Sequence, residues 1–406
     1  MSFQIDIRQV IHSFSDALDL VGIDEVQHGK RVAFMAWECG RTMGFYSRKL
    51  DKVYHASLLH DCGVSSTETH RKLVTELDWE GSQEHCIRGE ELLNRCHLFE
   101  GLSLIIRYHH THWQDLPSDL NPEIAEISNL IYLCDRVDAL IAQHRDSDIL
   151  YARQPIFDTI KKYRGNFFQK KLTDAFLRVT AGENFWFMLE PRHITHYIME
   201  MEQNSQTFPV DKKTFFEVAG IFADIIDAKS TFTVEHSLGV ARLARFIGSL
   251  AGISEDGQDK LEIAGLLHDI GKLNIHDDIL EKPGPLTEEE RLIIMRHSFE
   301  SYQILRRLSG FEEITQWAAF HHESLSGNGY PFHKDQKGLP IEARIITVAD
   351  IFQALAQKRP YRDSLSPKEI MDVMTTMKED GRLDANLLEL IQVHLEQCWR
   401  YATCLD

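Results

Sequence analysis

The 406-residue sequence predicts an all-α fold in which one helical domain is used twice. Three observations carry that reading. Apolar residues recur at helical spacing behind good N-terminal caps, clean period-2 strands are scarce, and one ordered set of His and Asp residues appears in both halves of the chain.

Helical signals come first. Thr287-Glu-Glu-Glu290 reads as a capping box, with Leu292, Met295, Phe299, Tyr302 and Leu305 following on a 3.6-residue period. From His236 to Leu250, Leu238, Leu243, Ile247 and Leu250 are expected on one buried face. Pro and Gly cluster at 282–285 and 327–340, which predicts loops there.

The repeat is the strongest signal. The first half holds His28, His60-Asp61, His85, His109-His110 and Asp135; the second holds His236, His268-Asp269, His297, His321-His322 and Asp350. The interval of 32 residues from His28 to His60 recurs from His236 to His268, and the 24 from His85 to His109 recur from His297 to His321. Offsets between the halves run 208, 208, 212, 212 and 215, so two short loop insertions in the second copy account for every difference. Around the last carboxylate, Cys134-Asp-Arg-Val-Asp-Ala-Leu140 parallels Ala349-Asp-Ile-Phe-Gln-Ala-Leu355. An isolated His-Asp pair means little, since such pairs often cap helices or sit in solvent; His276-Asp277 is one without an obvious partner.

The predicted domains are residues 1–150, the first helical repeat; 151–210, trailing helices and join, with Lys161-Lys-Tyr-Arg164 and Phe185-Trp-Phe187; 211–375, the second repeat; and 376–406, a C-terminal helical segment. Gly165 and Gly381, at similar distances after the two cores, suggest that the repeat runs to the end.

Composition narrows the function classes. Hydrophobic content of 43% and charged content of 26% fit an ordinary globular protein. A net charge of −18 argues against a DNA or RNA interface. The N-terminus lacks a basic-then-apolar secretory pattern and no apolar run nears the roughly 18 residues of a membrane span, so no membrane association and a cytoplasmic location are expected. Seven Cys without a CxxC pair point to reduced, mostly buried thiols.

In the second copy, His236, His268, Asp269 and Asp350 suit one divalent ion, with Asp269 bridging to a second held by His297, His321 and His322. Two ions about 3.5–4 Å apart can clamp a phosphoryl group and activate water. Lys272, one turn beyond Asp269, is placed to neutralise a phosphate oxygen, or to complement the helix C-terminus.

At this level the second copy resembles the HD-GYP family of the HD phosphohydrolases. The matching text is His236-Ser, Leu266-Leu-His-Asp-Ile-Gly-Lys272, Ile279-Leu-Glu-Lys-Pro-Gly284, Leu286-Thr, His297, His321-His-Glu323, Gly327-Asn-Gly-Tyr-Pro331, Ala343-Arg-Ile345, Asp350 and Arg359-Pro-Tyr-Arg362, over residues 230–365. The resemblance implies an all-α domain with two or three iron or manganese ions that hydrolyses 3′–5′ cyclic dinucleotides. It implies Asp269 and Lys272 as catalytic residues and the seven ligands just named. It also implies that Lys272, Arg359 and Arg362 contact phosphate, and that Gly327, Gly329, Tyr330 and Pro331 shape the loop beside the pocket. Two glycines allow close backbone approach there, and Tyr330 could stack on a base.

The chain departs from the family pattern at three places. Phe232 stands where three-metal members carry a Glu ligand, so two ions are expected, Mn²⁺ or Fe²⁺ with other divalent ions open. Gln353 replaces a frequent Asp and bears on base selection; Ser326 replaces an Asp with minor effect. The first copy keeps His28, His60, Asp61, His85, His109, His110 and Asp135, but has Val64 in place of Lys272, no Gly-Tyr-Pro loop and no Arg-Pro-Tyr-Arg. It is expected to be regulatory or architectural, with or without metal, a second catalytic centre being the sharper alternative. A degenerate first repeat resembles the subset acting on 3′,3′-cGAMP, which is favoured over c-di-GMP. The other readings are a nucleoside-phosphate hydrolase, or a non-catalytic adaptor that binds cyclic-dinucleotide synthases. A second copy of the chain or a diguanylate-cyclase-like protein are the candidate protein partners.

Overall fold

The structure, a computed structural model, describes residues 3–20, 27–144, 148–202, 207–229, 236–358 and 363–403. Helices dominate throughout, so the chain is all-α. Two four-residue strands, Phe3–Asp6 and Thr207–Val210, pair as a small sheet where the sequence predicts none. Four residues are too few for a period-2 pattern to stand out.

The chain divides into two compact units, one spanning Ile5–Pro209 and the other Val210–Asp406 together with the first four residues. In the second unit the His236–Leu250 helix packs against Glu255–Leu267 and against Ile341–Ala356. Ser254 caps Glu255–Leu267 by accepting from Gly257 N at 3.2 Å, and Glu255 and Asp256 in its first turn complement the helix dipole. The helix gives way to a 3₁₀ turn, Ile270–Asn274, just after His268-Asp269. Gly271 makes that turn possible, because a Cβ there would lie 2.0 Å from His297 O. This close approach seats the turn against the Glu288–Leu305 helix, whose capping box at Thr287 and Glu290 forms as expected.

Periodicity misplaces some side chains. Leu243 and Ile247 are fully buried, but Leu238 is exposed, as are Leu292 and Phe299. The Glu288–Leu305 helix buries His297, Ser298, Ser301, Ile304 and Leu305 instead, since its inward face is partly polar and serves the site. His276 proves to be a cap, accepting from Asp278 N at 3.3 Å at the start of Asp277–Leu280.

The first unit uses the same plan. His28–Thr42, Ser47–Leu59, Ser82–Leu93, Glu100–Tyr108 and Pro122–Ala142 deliver His28, His60-Asp61, His85, His109-His110 and Asp135 in turn. Asn121 caps the last helix by accepting from Glu123 N at 2.8 Å, with Pro122 in its first turn. Gly63 repeats the role of Gly271, its Cβ position lying 1.9 Å from His85 O. Gly165 and Gly381 share a left-handed backbone, with φ of 90° and 71°.

Candidate metal centre and substrate cavity

In the second unit His236, His268-Asp269 and His321-His322 sit at or just past helix ends, His297 and Asp350 lie within helices, and the set converges. Asp269 lies at the middle. Its Oδ2 is 3.2 Å from His268 Nε2 and 3.5 Å from His236 Nε2, while its Oδ1 is 3.4 Å from His297 Nε2 and 3.7 Å from His321 Nε2. The two carboxylate oxygens thus face two separate histidine groups. Asp350 Oδ1 joins the first group at 3.5 Å from His236 Nε2, and His322 joins the second.

Tautomers are set from behind. His268, His297 and His321 each donate from Nδ1 to the carbonyl three residues earlier, on Gly265, Ile294 and Ala318, at 2.7, 2.5 and 2.6 Å. A carbonyl can only accept, so Nδ1 carries the proton and Nε2 presents a lone pair inward. Gln353 does the same for His236, its Oε1 lying 2.5 Å from Nδ1. Such outer partners orient metal-binding imidazoles.

Electrostatics agree with that role. Burial pushes His297 down to about 4 and His321 to about 3, keeping both neutral as ligands must be. Burial also favours neutral Asp269, but His268 and Lys272 outweigh it and hold the carboxyl well below its ordinary value. The buried Asp269 Oδ1 accepts no hydrogen bond among the described residues. An orphaned carboxylate oxygen ringed by imidazole Nε2 atoms fits a divalent ion such as Mn, Fe or Zn.

Beside His321 and His322 opens a cavity of about 530 Å³, bordered also by Tyr330, Thr347, Ile351, Asp380 and Arg382. That is ample for a drug-sized ligand. Glu323 is buried and holds the Gly-Tyr-Pro loop in place, accepting from Phe332 N at 2.6 Å and Lys334 N at 2.9 Å. Gly327 has φ of 76°, and a Cβ on Gly329 would meet Glu323 Cα at 2.4 Å.

Three predicted substrate contacts have partners within the protein. Gln353 is buried, with its amide oxygen against His236 Nδ1. Tyr330 stacks on His322, with ring centres 4.8 Å apart. Lys272 donates to Asp269 Oδ2 at 2.5 Å, so its charge is already engaged with the shared carboxylate. Arg359, Arg362 and Phe232 fall outside the described residues. Sequence reasoning passes over Arg382, although its neighbour Gly381 is singled out, because a lone Arg after a turn carries no pattern.

The first unit assembles its seven residues the same way. Asp61 Oδ2 is 3.4 Å from His60 Nε2 and 3.7 Å from His28 Nε2, and its Oδ1 is 3.4 Å from His85 Nε2. His109 Nε2 lies 3.1 Å from His85 Nε2, and Asp135 Oδ1 and Oδ2 lie 3.3 Å from His28 Nε2 and His110 Nε2. Asp138 takes the place of Gln353, 2.7 Å from His28 Nδ1.

Residues 26–142 and 220–387 each match a family model described as an HD domain. The chain is 34% identical to the 3′3′-cGAMP-specific phosphodiesterase 1 of Vibrio cholerae, over 98% of this chain and 94% of that protein. The chain belongs to the HD-GYP family. The 3′3′-cGAMP-specific phosphodiesterase 3 of the same organism is 31% identical over 72% of this chain and 63% of its own length. A crystal structure of a cyclic GMP-AMP-specific phosphodiesterase from V. cholerae shares the HD-GYP chain's fold, with a TM-score of 0.65 and 23% identity over 100% and 99% of the two chains. A cyclic di-GMP phosphodiesterase response regulator of Xanthomonas campestris is 38% identical over 31% of this chain and 34% of its own.

Proposed function

We propose that the chain is a metal-dependent phosphodiesterase that opens a 3′–5′ cyclic dinucleotide to a linear 5′-phosphorylated dinucleotide, with 3′,3′-cGAMP preferred over c-di-GMP. The observation that carries this reading is Asp269, whose two oxygens face separate histidine groups, one of which borders a cavity of about 530 Å³ through His321 and His322. Full-length likeness to a relative of that named specificity supports the choice of substrate.

Two divalent ions, Mn²⁺ or Fe²⁺, would be held by His236, His268, Asp269 and Asp350 on one side and by Asp269, His297, His321 and His322 on the other. When bound they would polarise a phosphoryl oxygen and lower the pKa of water. The chain's own residues do the rest. The Nδ1 anchors fix the imidazoles before substrate arrives, so little reorganisation is needed. Lys272 keeps positive charge beside the shared carboxylate, within reach of phosphate charge that grows in the transition state. Gly327, Gly329, Tyr330 and Pro331 form the loop, with Gly329 and Tyr330 on the cavity wall. Arg382 adds a cation on that wall, and Arg359 and Arg362 are the remaining candidates for phosphate.

A cytoplasmic setting suits the chain. Among the described residues six cysteines are buried and free, and no helix is long and apolar enough to cross a membrane.

The test is turnover of both cyclic dinucleotides by purified protein with Mn²⁺, alongside His268→Ala and Asp269→Ala. Preferential opening of 3′,3′-cGAMP that both substitutions abolish is expected. Equal or exclusive turnover of c-di-GMP would overturn the substrate choice; a cellular effect that survives both substitutions would instead favour an adaptor.

A further inference from the structure

The first unit keeps the ligand cage but surrounds it with different side chains. Counted from the matching carboxylates Asp135 and Asp350, Tyr132 stands where Thr347 does and Arg136 where Ile351 does. Thr347 and Ile351 border the cavity of the second unit. Tyr132 and Arg136 are fully buried.

Both larger side chains are tied in place. Tyr132 packs its ring at 5.6 Å from His110 and 5.3 Å from Phe168. Arg136 donates to Asp135 Oδ2 at 2.8 Å, and also to Leu73 O at 2.8 Å and Glu76 O at 2.6 Å. Those carbonyls belong to the end of the Thr67–Thr75 helix and the residue after it, so the guanidinium straps that segment to Asp135. The same helix brings the buried His70 ring to 6.3 Å from His28. Beyond His110, where the second unit has its Gly-Tyr-Pro loop, Trp113 N and Gln114 N donate to Phe167 O and Asn166 O at 2.9 and 3.0 Å. His112 stacks on Phe167 at 3.7 Å.

Meanwhile the cage retains what an ion requires. His28, His60 and His109 are anchored through Nδ1 on Asp138, Ser57 O and Ile106 O, so their Nε2 atoms turn inward. Asp61 is buried, and its Oδ1 accepts no hydrogen bond among the described residues. Leaving a carboxylate oxygen buried without a partner is costly, and a divalent cation removes that cost.

We propose that the first unit holds a closed, non-catalytic metal centre: divalent transition ions caged by His28, His60, Asp61, His85, His109, His110 and Asp135, with Tyr132 and Arg136 filling the space a substrate would need. The ions stabilise the fold and exchange slowly, because the buried Tyr132 and the Arg136 strap stand across the approach to them.

Metal content tests this without reference to turnover, so its outcome is separable from the proposed phosphodiesterase activity. The full-length His268→Ala/Asp269→Ala protein, reloaded with Mn²⁺, is expected to keep about half of the wild-type metal, since the first cage is untouched. Brief exposure of wild type to EDTA should strip a fast share and leave a slow share of similar size. His60→Ala/Asp61→Ala should lack the slow share and melt at lower temperature. Arg136→Ile, which opens the strap while leaving every ligand, should convert the slow share to fast release. A second-unit variant that is folded by circular dichroism yet metal-free overturns the proposal. So does loss of all wild-type metal in one fast phase, or an unchanged slow share in Arg136→Ile.

Discussion

Gln353 accepts the Nδ1 proton of His236 at 2.5 Å, and Asp138 stands at the matching place 2.7 Å from His28 Nδ1. One uses a neutral amide and the other a carboxylate for the same task. In the metal-free chain, although burial opposes it, hydrogen bonds to Asp135 and Asp138 push His28 up to about 10, whereas the Nδ1 partner of His236 is a neutral amide. Substituting Gln353→Leu should therefore weaken metal binding about 10–100-fold, as loss of such outer partners does. Activity should fall at limiting Mn²⁺ and return in excess, which a metal titration of kcat would show; Gln353→Glu should restore tight binding.

Asp269→Asn keeps the shape of the shared side chain but removes the charge facing both histidine groups. A loss of kcat of at least about 10³-fold is expected, beyond what a single hydrogen-bond donor usually contributes. Steady-state assay with metal analysis checks it, and the thermal midpoint should shift little compared with the loss of turnover.

Arg382 sits on the cavity wall without being near Asp269 in the chain. Replacing it with Ala should raise KM about tenfold with kcat nearly unchanged, the signature of a contact made equally in the bound and transition states. A drop in kcat with unchanged KM would place it in the chemistry instead.

Acid should destabilise the metal-free protein well above the ordinary carboxylate range. Burial pushes His85 and His297 down to about 4 in the folded chain, against an unfolded value near 6.5. The unfolded state therefore binds more protons between those values, and stability present above pH 6.5 is lost as pH falls toward 4. Each of the two contributes up to about 1.4 kcal/mol per pH unit. Urea midpoints measured from pH 7 to 5 should fall steadily, and bound metal should leave over the same range because protons compete for Nε2.

Gly271→Ala would put a methyl group 2.0 Å from His297 O, and backbone on both sides leaves it nowhere to go. Destabilisation of about 3 kcal/mol or more is expected from overpacking, read as a lower thermal midpoint or failure to express soluble protein. Gly63→Ala should behave alike, with its Cβ 1.9 Å from His85 O.

Much of this architecture is legible in residue spacing. The two sets of seven residues come together in both units because the 32- and 24-residue intervals preserve the helix and loop lengths that carry them. What spacing misses is environment. Leu292 and Phe299 keep helical period yet face solvent, since the inward face of their helix is given to His297, Ser298 and Ser301. Gln353 reads as a substrate contact until its amide is seen behind His236. Tyr132 and Arg136 look like ordinary members of a buried helix, and only comparison with Thr347 and Ile351 shows that their counterparts border the cavity.

Glu323 follows His321-His322 directly in the chain, and its two oxygens grip the backbone of Phe332 and Lys334. The Gly-Tyr-Pro loop and the imidazole pair are therefore joined through one residue. Under the proposed function, a ligand that displaced the loop would pull on the imidazoles, and an ion that tightened them would preset the loop, so each would change the affinity for the other.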